Sequence, residues 1–223
     1  TEGRPHVVEI AAFEGRSPEA LLSLAAALEA RSEHPLAKAI LAKAAEQNVQ
    51  FSPGQDVQAI RGKGVIGRVG EKDAWLGSRA FLEERAKSAN TIEALARANA
   101  LAGAGRTVVA IGDGESVWGL IAVADAVRPE ARKIVADLHA AGIERVIMLT
   151  GDNRATADRI ARETGVDEVQ AELLPEHKVA AVEALVARYG AVAMVGDGVN
   201  DAPAMARANL GVAMGAIGSD AAI

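Results

Sequence analysis

The spacing of apolar and polar residues divides this chain into two halves of different character. After Ser17-Pro18-Glu19, the side chains of Leu21, Leu24, Ala25 and Leu28 fall on one face of a helix. Pro35 opens a second helix, which the pattern carries to about Gln47. Arg61 to Gly70 is rich in glycine, with Val65, Ile66 and Val69 interleaved, and Asp73 to Leu76 reads as a strand. Helices near 79–87 and 91–102 precede strands near 106–112 and 116–123. The first half is thus predicted to be an α+β unit with antiparallel pairing. A polar, glycine-containing turn, Asp113 to Val117, marks the change of pattern.

From Val117 onward, strand and helix alternate. Val117 to Val123 is an unbroken apolar run. Pro129 suits the first turn of a helix whose apolar face is Ala131, Ile134, Val135, Leu138 and Ala141, and Gly142 stops it. Arg145 to Leu149 is a short strand, and Thr150-Gly151-Asp152-Asn153 turns the chain into a helix striped with Ala157, Ile160, Ala161 and Thr164. Glu168 to Ala171 is the next strand, and Pro175 opens a helix with Val179, Val182 and Val186 inside. Ala191 to Val195 is another strand, followed by a short helix through Arg207 and a last strand, Leu210 to Met214. Such alternation predicts a parallel sheet covered by helices on both sides. Ligands in these folds bind beyond the carboxyl ends of the strands, where Thr150, Asp152 and Asp197 fall.

Composition narrows the classes of function. The chain has 223 residues, half of them hydrophobic and only 3% aromatic, so its core is built from Ala, Val, Leu and Ile. A net charge of -6 argues against a nucleic-acid surface. With no cysteine, there is neither a disulfide nor a thiolate metal site. No apolar run approaches the roughly 20 residues needed to cross a bilayer; Leu21 to Leu28 is short and broken by Ser23. The chain is expected to be soluble, without direct membrane insertion.

The chemistry concentrates in Val195-Gly196-Asp197-Gly198-Val199-Asn200-Asp201-Ala202-Pro203. A buried strand runs into a glycine, a carboxylate and a second glycine, so the backbone turns sharply and a ligand can come close. Asp197 and Asp201 sit at the mouth of a strand-to-helix turn and can share a hard cation such as Mg²⁺. The N–H groups of the following helix favour phosphate at the same spot. Thr150 and Gly151 offer a hydroxyl and backbone donors suited to a phosphoryl oxygen, with Asp152 in the same turn. Lys178, in the first turn of the helix opened by Pro175, can neutralise charge on a transferring phosphoryl group. Asn200 can donate to phosphate or orient a carboxylate. Together these residues point to phosphoryl transfer.

The strings TGDN at 150–153, LPEHK at 174–178 and VGDGVNDAPAM at 195–205 resemble the catalytic region of P-type cation-transporting ATPases, in the haloacid dehalogenase superfamily. Ser32-Glu33-His34-Pro35 resembles the SEHP signature of the heavy-metal branch, and Gly62-Lys63-Gly64 its GxG. The resemblance implies a Rossmann-like α/β phosphorylation domain, residues 1–7 and 119–223, with an inserted α+β nucleotide-binding domain, residues 8–118. It implies an adenosine pocket formed by Glu29, His34, Gly62, Gly64 and Gly77, with ATP and Mg²⁺ as ligands. His34, just before a helix-opening proline, can present a flat ring to adenine, and Gly62 and Gly64 allow close approach of backbone. The transmembrane and actuator domains of a parent pump would be the partners, and such a region would lie on the cytoplasmic face of a membrane.

One departure from the family stands out. Thr1-Glu2-Gly3-Arg4-Pro5 resembles the residues immediately after the DKTGTL motif, so the acceptor Asp and its strand, central in the family's sheet, are expected to be missing. The chain is accordingly expected to be a cytoplasmic fragment of an ATP-driven heavy-metal exporter that binds ATP but forms no phosphoenzyme. Its terminal MGAIGSDAAI looks more like the zinc/cadmium/lead group than the copper group. Two alternatives share the residues: a soluble phosphatase of the same superfamily and a non-catalytic nucleotide-binding module. The SEHP and GxG strings argue against the phosphatase.

Overall fold

The computed structural model describes residues 1, 3–13, 15–197 and 201–214. Strand β1 (Pro5–Ala12) leads into helices α1 (Pro18–Glu29) and α2 (Pro35–Glu46). The strands β2 (Gln55–Ile60), β3 (Gly64–Val69) and β4 (Lys72–Gly77) follow, then helices α3 (Arg79–Arg85) and α4 (Thr91–Gly103). Strands β5 (Thr107–Asp113) and β6 (Ser116–Asp125) complete a six-stranded sheet in the order β1-β6-β5-β4-β3-β2. Every neighbouring pair in it is antiparallel.

Strand alternation sorts the apolar residues onto two faces. On one, Leu21, Leu28 and Ile40 of α1 and α2 pack against Leu76, Ile111 and Ile121. On the other, Phe81, Leu82, Ala98 and Leu101 of α3 and α4 pack against Trp75, Val117 and Leu120. The unbroken apolar run of β6 is therefore the signature of a strand covered on both sides. Local sequence sets the helix starts. The Ser17 hydroxyl accepts the Ala20 N–H at 3.1 Å, Pro18 occupies the first turn, and Ser78 caps α3 in the same way.

Strands β1 and β2 extend the expected unit. β1 pairs with β6 from Pro5↔Asp125 to Ala12↔Gly119, so the boundaries expected at 7/8 and 118/119 fall inside these two strands. β2 is the edge strand and is almost wholly exposed, which removes the alternation that would have betrayed it.

Beyond Asp125 the alternating pattern is present. It comprises α5 (Ala131–Ala140), β7 (Ile147–Leu149), α6 (Arg154–Thr164), β8 (Glu168–Gln170), α7 (Pro175–Tyr189), β9 (Ala193–Gly196), α8 (Ala202–Met205) and β10 (Leu210–Ala213). The parallel sheet is not continuous among the described residues. β7 pairs with β8 and β9 with β10, both in parallel, as two separate ribbons. Leu149 at the end of β7 nonetheless packs against the cluster of Val182, Met194 and Ala204, so the ribbons share one small core. The apolar face expected on α5 is formed but not covered: Val135 is buried, whereas Ile134 is 54% exposed. Val195 of β9 is 62% exposed. Among the described residues no helix is long and apolar enough to cross a membrane.

Two polar contacts hold the six-stranded unit and can be tested. Buried Asn90 donates from Nδ2 to the Val117 carbonyl at 2.9 Å, tying the start of α4 to β6. Asn90→Ala should lower stability by about 1–3 kcal/mol, the cost of a buried group left without its partner, and a urea titration reads this directly. Glu9 on β1 accepts from Arg97 and Arg106. Burial pushes the Glu9 carboxyl up, but the hydrogen bonds and charges of the two guanidiniums together hold it below its ordinary value. A depressed folded-state value means that the contribution of Glu9 is fully present above the unfolded value, about 4.3. It is lost as pH falls through the lower folded value. Glu9→Gln should therefore flatten the acid limb of the stability–pH curve while changing its shape little at neutral pH.

Candidate functional site

The motif residues gather at the carboxyl ends of β7 and β9. β7 stops at Leu149, and the Thr150 turn is pinned on both sides. Its N–H donates to the Gln170 carbonyl at 3.0 Å, and its own carbonyl accepts from Leu173 N–H at 3.0 Å. The Thr150 hydroxyl donates to the Asp152 carboxylate at 3.0 Å and accepts the Asp152 N–H at 3.1 Å. The Asn153 side chain accepts the Thr156 N–H at 3.0 Å, capping α6. The TGDN string is thus a strand-to-helix turn stabilised by its own polar side chains. A Cβ on Gly151 would come only to 3.4 Å from the Leu173 carbonyl oxygen, so packing alone does not require a glycine there.

At the second ribbon, Asp197 follows β9 directly and is exposed. Asp201 stands at the start of α8 and accepts from Lys178 Nζ at 2.7 Å, with both side chains largely buried. This ion pair brings together two residues 23 positions apart and ties α7 to α8. A Cβ on Gly196 would lie 2.8 Å from both the Asp201 Cβ and its Oδ2. The Asp201 carboxylate therefore rests directly on the backbone at the end of β9, and only glycine leaves it room. Among the described residues no three His, Cys, Asp or Glu side chains gather. Asp197 and Asp201 supply oxygen donors only, which suits Mg²⁺, with the remaining positions left to water and phosphate oxygens. No hydrogen bond joins Thr150 or Asp152 to Lys178 or Asp201 among the described residues. Asn200 and Gly198 lie outside the described residues.

The residues expected to bind adenosine lie in the six-stranded unit. A cleft of about 290 Å³ is lined by Glu29, Arg31, Ser32, Gly54, Val57 and Val65 among others. Glu29, at the end of α1, is 7% exposed, and its Oε2 is buried without a hydrogen-bond partner. Such an oxygen is costly to leave bare, and a ligand N–H would relieve it. Sequence reading finds Glu29 but misses the opposite wall, whose Pro53, Gly54 and Val57 carry no chemical signature of their own.

The other four residues stand outside that lining. His34 is exposed, and its Nδ1 accepts the Leu36 N–H at 3.2 Å as the cap of α2. This bond assigns the acceptor role to Nδ1, so a neutral ring carries its proton on Nε2, facing away from the helix. Gly62 has φ +73 in the β2–β3 turn with open space around it. Gly64 and Gly77 are partners across β3 and β4, and here the expected reason for glycine changes. A Cβ on Gly64 would lie 2.1 Å from the Leu76 carbonyl oxygen, and one on Gly77 would lie 2.4 Å from the Phe81 ring. At these two positions the protein itself fills the space that a Cβ would need.

The whole chain is 39% identical over 226 residues to a cadmium-transporting ATPase of Staphylococcus aureus, of which it covers 31%. It is 43% identical over 224 residues to the copper-exporting P-type ATPase B of Archaeoglobus fulgidus, again covering 31%. The chain thus spans about a third of the length of these curated relatives. A zinc-transporting PIB-type ATPase in its E2.Pi state matches with a TM-score of 0.84 at 37% identity, over 95% of this chain and 33% of that one. The catalytic CPx-ATPase domain CopB-B, studied upon nucleotide binding, matches with a TM-score of 0.67 at 28% identity, over 95% and 72%. Residues 1–209 match the haloacid dehalogenase-like hydrolases, and the chain belongs to that family.

Proposed function

We propose that this chain is the ATP-binding and phosphorylation region of an ATP-driven heavy-metal cation exporter, working with transmembrane and actuator domains at the cytoplasmic face of a membrane. The observation that carries this reading is the placement of the motifs. Thr150 and Asp197 directly follow β7 and β9, and Lys178 is held on Asp201, which rests on Gly196 at the end of β9. In this reading Thr150 and the Gly151 N–H hold phosphoryl oxygens, Asp152 fixes the Thr150 hydroxyl, and Lys178 offsets the charge that develops on transfer. Asp197 and Asp201 hold Mg²⁺, and Asn200 orients a phosphate or carboxylate. The six-stranded unit, from Pro5 to Asp125, carries the nucleotide. The adenine amino group satisfies the bare Glu29 Oε2, and His34 presents its ring at the rim.

The two ribbons bear on the acceptor. β7 and β9 each have one unpaired edge among the described residues, and both contribute to one small core. A strand carrying the acceptor Asp of a DKTGT motif fits between them and would continue the parallel sheet. No such string occurs in these 223 residues. The cargo is read as a zinc, cadmium or lead ion from the terminal MGAIGSDAAI; the cadmium-transporting relative and the zinc-transporting neighbour support that, whereas the copper-exporting relative is no less similar.

Calorimetry with ATP tests the cleft. His34→Ala should weaken binding by about 1–2 kcal/mol, the scale of one lost polar or stacking contact, and Glu29→Ala by at least as much. Unchanged affinity in both would remove the pocket. Gly64→Val is not a clean probe, because the new side chain would strike the Leu76 carbonyl.

Phosphoryl transfer needs a separate experiment in a protein that also carries the DKTGT motif. There, Asp197→Asn should abolish Mg²⁺-dependent labelling by γ-labelled ATP and leave nucleotide affinity nearly intact. Lys178→Ala should slow labelling in the same selective way. The present chain should give no acid-stable label at all. An equal loss of binding and labelling in either variant would show that the two units do not divide the work.

A further inference from the structure

The two units meet at one compact junction that neither set of motifs includes. Arg159 lies on α6, the helix capped by Asn153 of the TGDN turn, and its side chain is 14% exposed. It donates to the Asp125 carbonyl at 3.1 Å and to the Gly105 carbonyl at 3.4 Å, and it pairs with Glu163 at 2.9 Å. The Thr156 hydroxyl, one turn earlier, also donates to the Gly105 carbonyl at 3.4 Å. Gly105 sits in the loop between α4 and β5, so it belongs to the six-stranded unit. A Cβ there would lie 2.5 Å from the Ala155 carbonyl oxygen. Backbone rests on backbone at this point, and the first turn of α6 is seated on the loop.

Asp125 is the last residue of β6, where the chain leaves the six-stranded unit. Its carboxylate accepts the N–H groups of Gly3 and Arg4, where the chain enters that unit, at 3.1 and 3.0 Å. The two crossing strands are therefore tied to each other through the Asp125 side chain and tied to α6 through its carbonyl. Among the described residues, the Arg159 side chain joins α6 to both the loop and the strand end, so rotation of one unit on the other about this crossing would strain its bonds.

We propose that Arg159 is a positioning residue. With Thr156 and the Gly105 loop, it latches the six-stranded unit, in the ligand-free chain, at the angle seen here to the strand ends that carry Thr150 and Asp197. This rests on the reading of that unit as the nucleotide carrier. The Glu29 cleft takes its lining from residues 27–65, and Asp197 lies across the junction. A nucleotide held in the cleft reaches Asp197 only at a defined angle between the units. Arg159 acts on phosphoryl transfer through that angle and touches no reacting atom. Its partners across the junction are backbone carbonyls, and its carboxylate partner Glu163 lies on its own helix, so releasing Arg159 from the other unit breaks two hydrogen bonds and leaves its ion pair intact.

Pulsed electron–electron resonance between two spin labels measures the angle. The chain has no cysteine, so Glu71→Cys on the β3–β4 turn and Ala184→Cys on α7 label uniquely, and both positions are exposed. The labelled chain, without nucleotide, should give one narrow distance peak. Arg159→Ala should replace that peak with a broad distribution, and Arg159→Lys, which keeps a donor within reach of the Asp125 carbonyl, should restore much of it. Thr156→Val removes only a hydroxyl and keeps the side-chain shape; it should broaden the peak less, and it covers the case in which Arg159→Ala unfolds α6. Arg162→Ala, on the exposed side of the same helix, should leave the peak unchanged. A narrow peak that survives in both Arg159→Ala and Thr156→Val overturns the latch. Because the measurement uses no ligand, a failed ATP titration leaves the distance result standing, and the reverse holds as well.

Discussion

Everything in this chain is organised around the pairing of β1 with β6. A unit inserted into another can fold on its own, and can be carried as one body, only if its two ends lie side by side. Here the entering strand and the leaving strand are hydrogen-bonded neighbours from Pro5↔Asp125 onward. Both sit at one end of the sheet order, with β6 also joined along its length to β5. Tension applied at the crossing is therefore borne along a ladder and not by a loop. The Asp125 carboxylate extends the ladder by two more donors at Gly3 and Arg4.

The same economy of backbone recurs at the motif glycines. The space beside Gly196 is occupied by the Asp201 carboxylate, that beside Gly64 by the strand opposite, and that beside Gly77 by the Phe81 ring and the Lys63 carbonyl. In each case the glycine lets one part of the protein lie against the backbone of another. The first of these has chemical meaning. A carboxylate seated on the end of β9 and held by Lys178 is fixed in place before any ligand arrives, which is the preorganisation that the proposed phosphoryl-transfer role would use.

Much of the architecture is legible in the sequence because local and global signals agree. Ser17 and Pro18 announce α1, the Leu21 to Leu28 stripe gives its buried face, and the Thr150 turn and Asp197 fall at strand ends as the alternation requires. The failures have separate causes. β2 has no buried face to impose a period, so Gln55 to Ile60 reads as loop. The expected domain boundaries fall within β1 and β6, and the pairing of those strands is not visible locally, since antiparallel partners more than a hundred residues apart leave no local trace. The stripe on α5 is apolar as its spacing indicates, but what covers a stripe is a tertiary fact, and here Ile134 faces outward. A glycine in a sequence signals a close approach without saying whether a ligand or the chain itself makes it, as Gly64 shows. The contacts of Arg159 with the other unit have no signature, because their acceptors are carbonyl oxygens that every residue possesses.

The two short ribbons also bear on how this polypeptide behaves in a test tube. An unpaired parallel edge beside exposed aliphatic side chains is a template for a second molecule. β7 and β9 each offer such an edge among the described residues, with Val195, Ile134 and Leu210 standing open nearby in the same half. The net charge of -6 opposes association only over a Debye length, about 10 Å at 0.1 M salt. Colloidal stability should therefore fall as ionic strength rises, through these edges and through the exposed edge strand β2 of the six-stranded sheet. For this chain, solubility is set in part at the same strand ends to which the proposed chemistry is assigned.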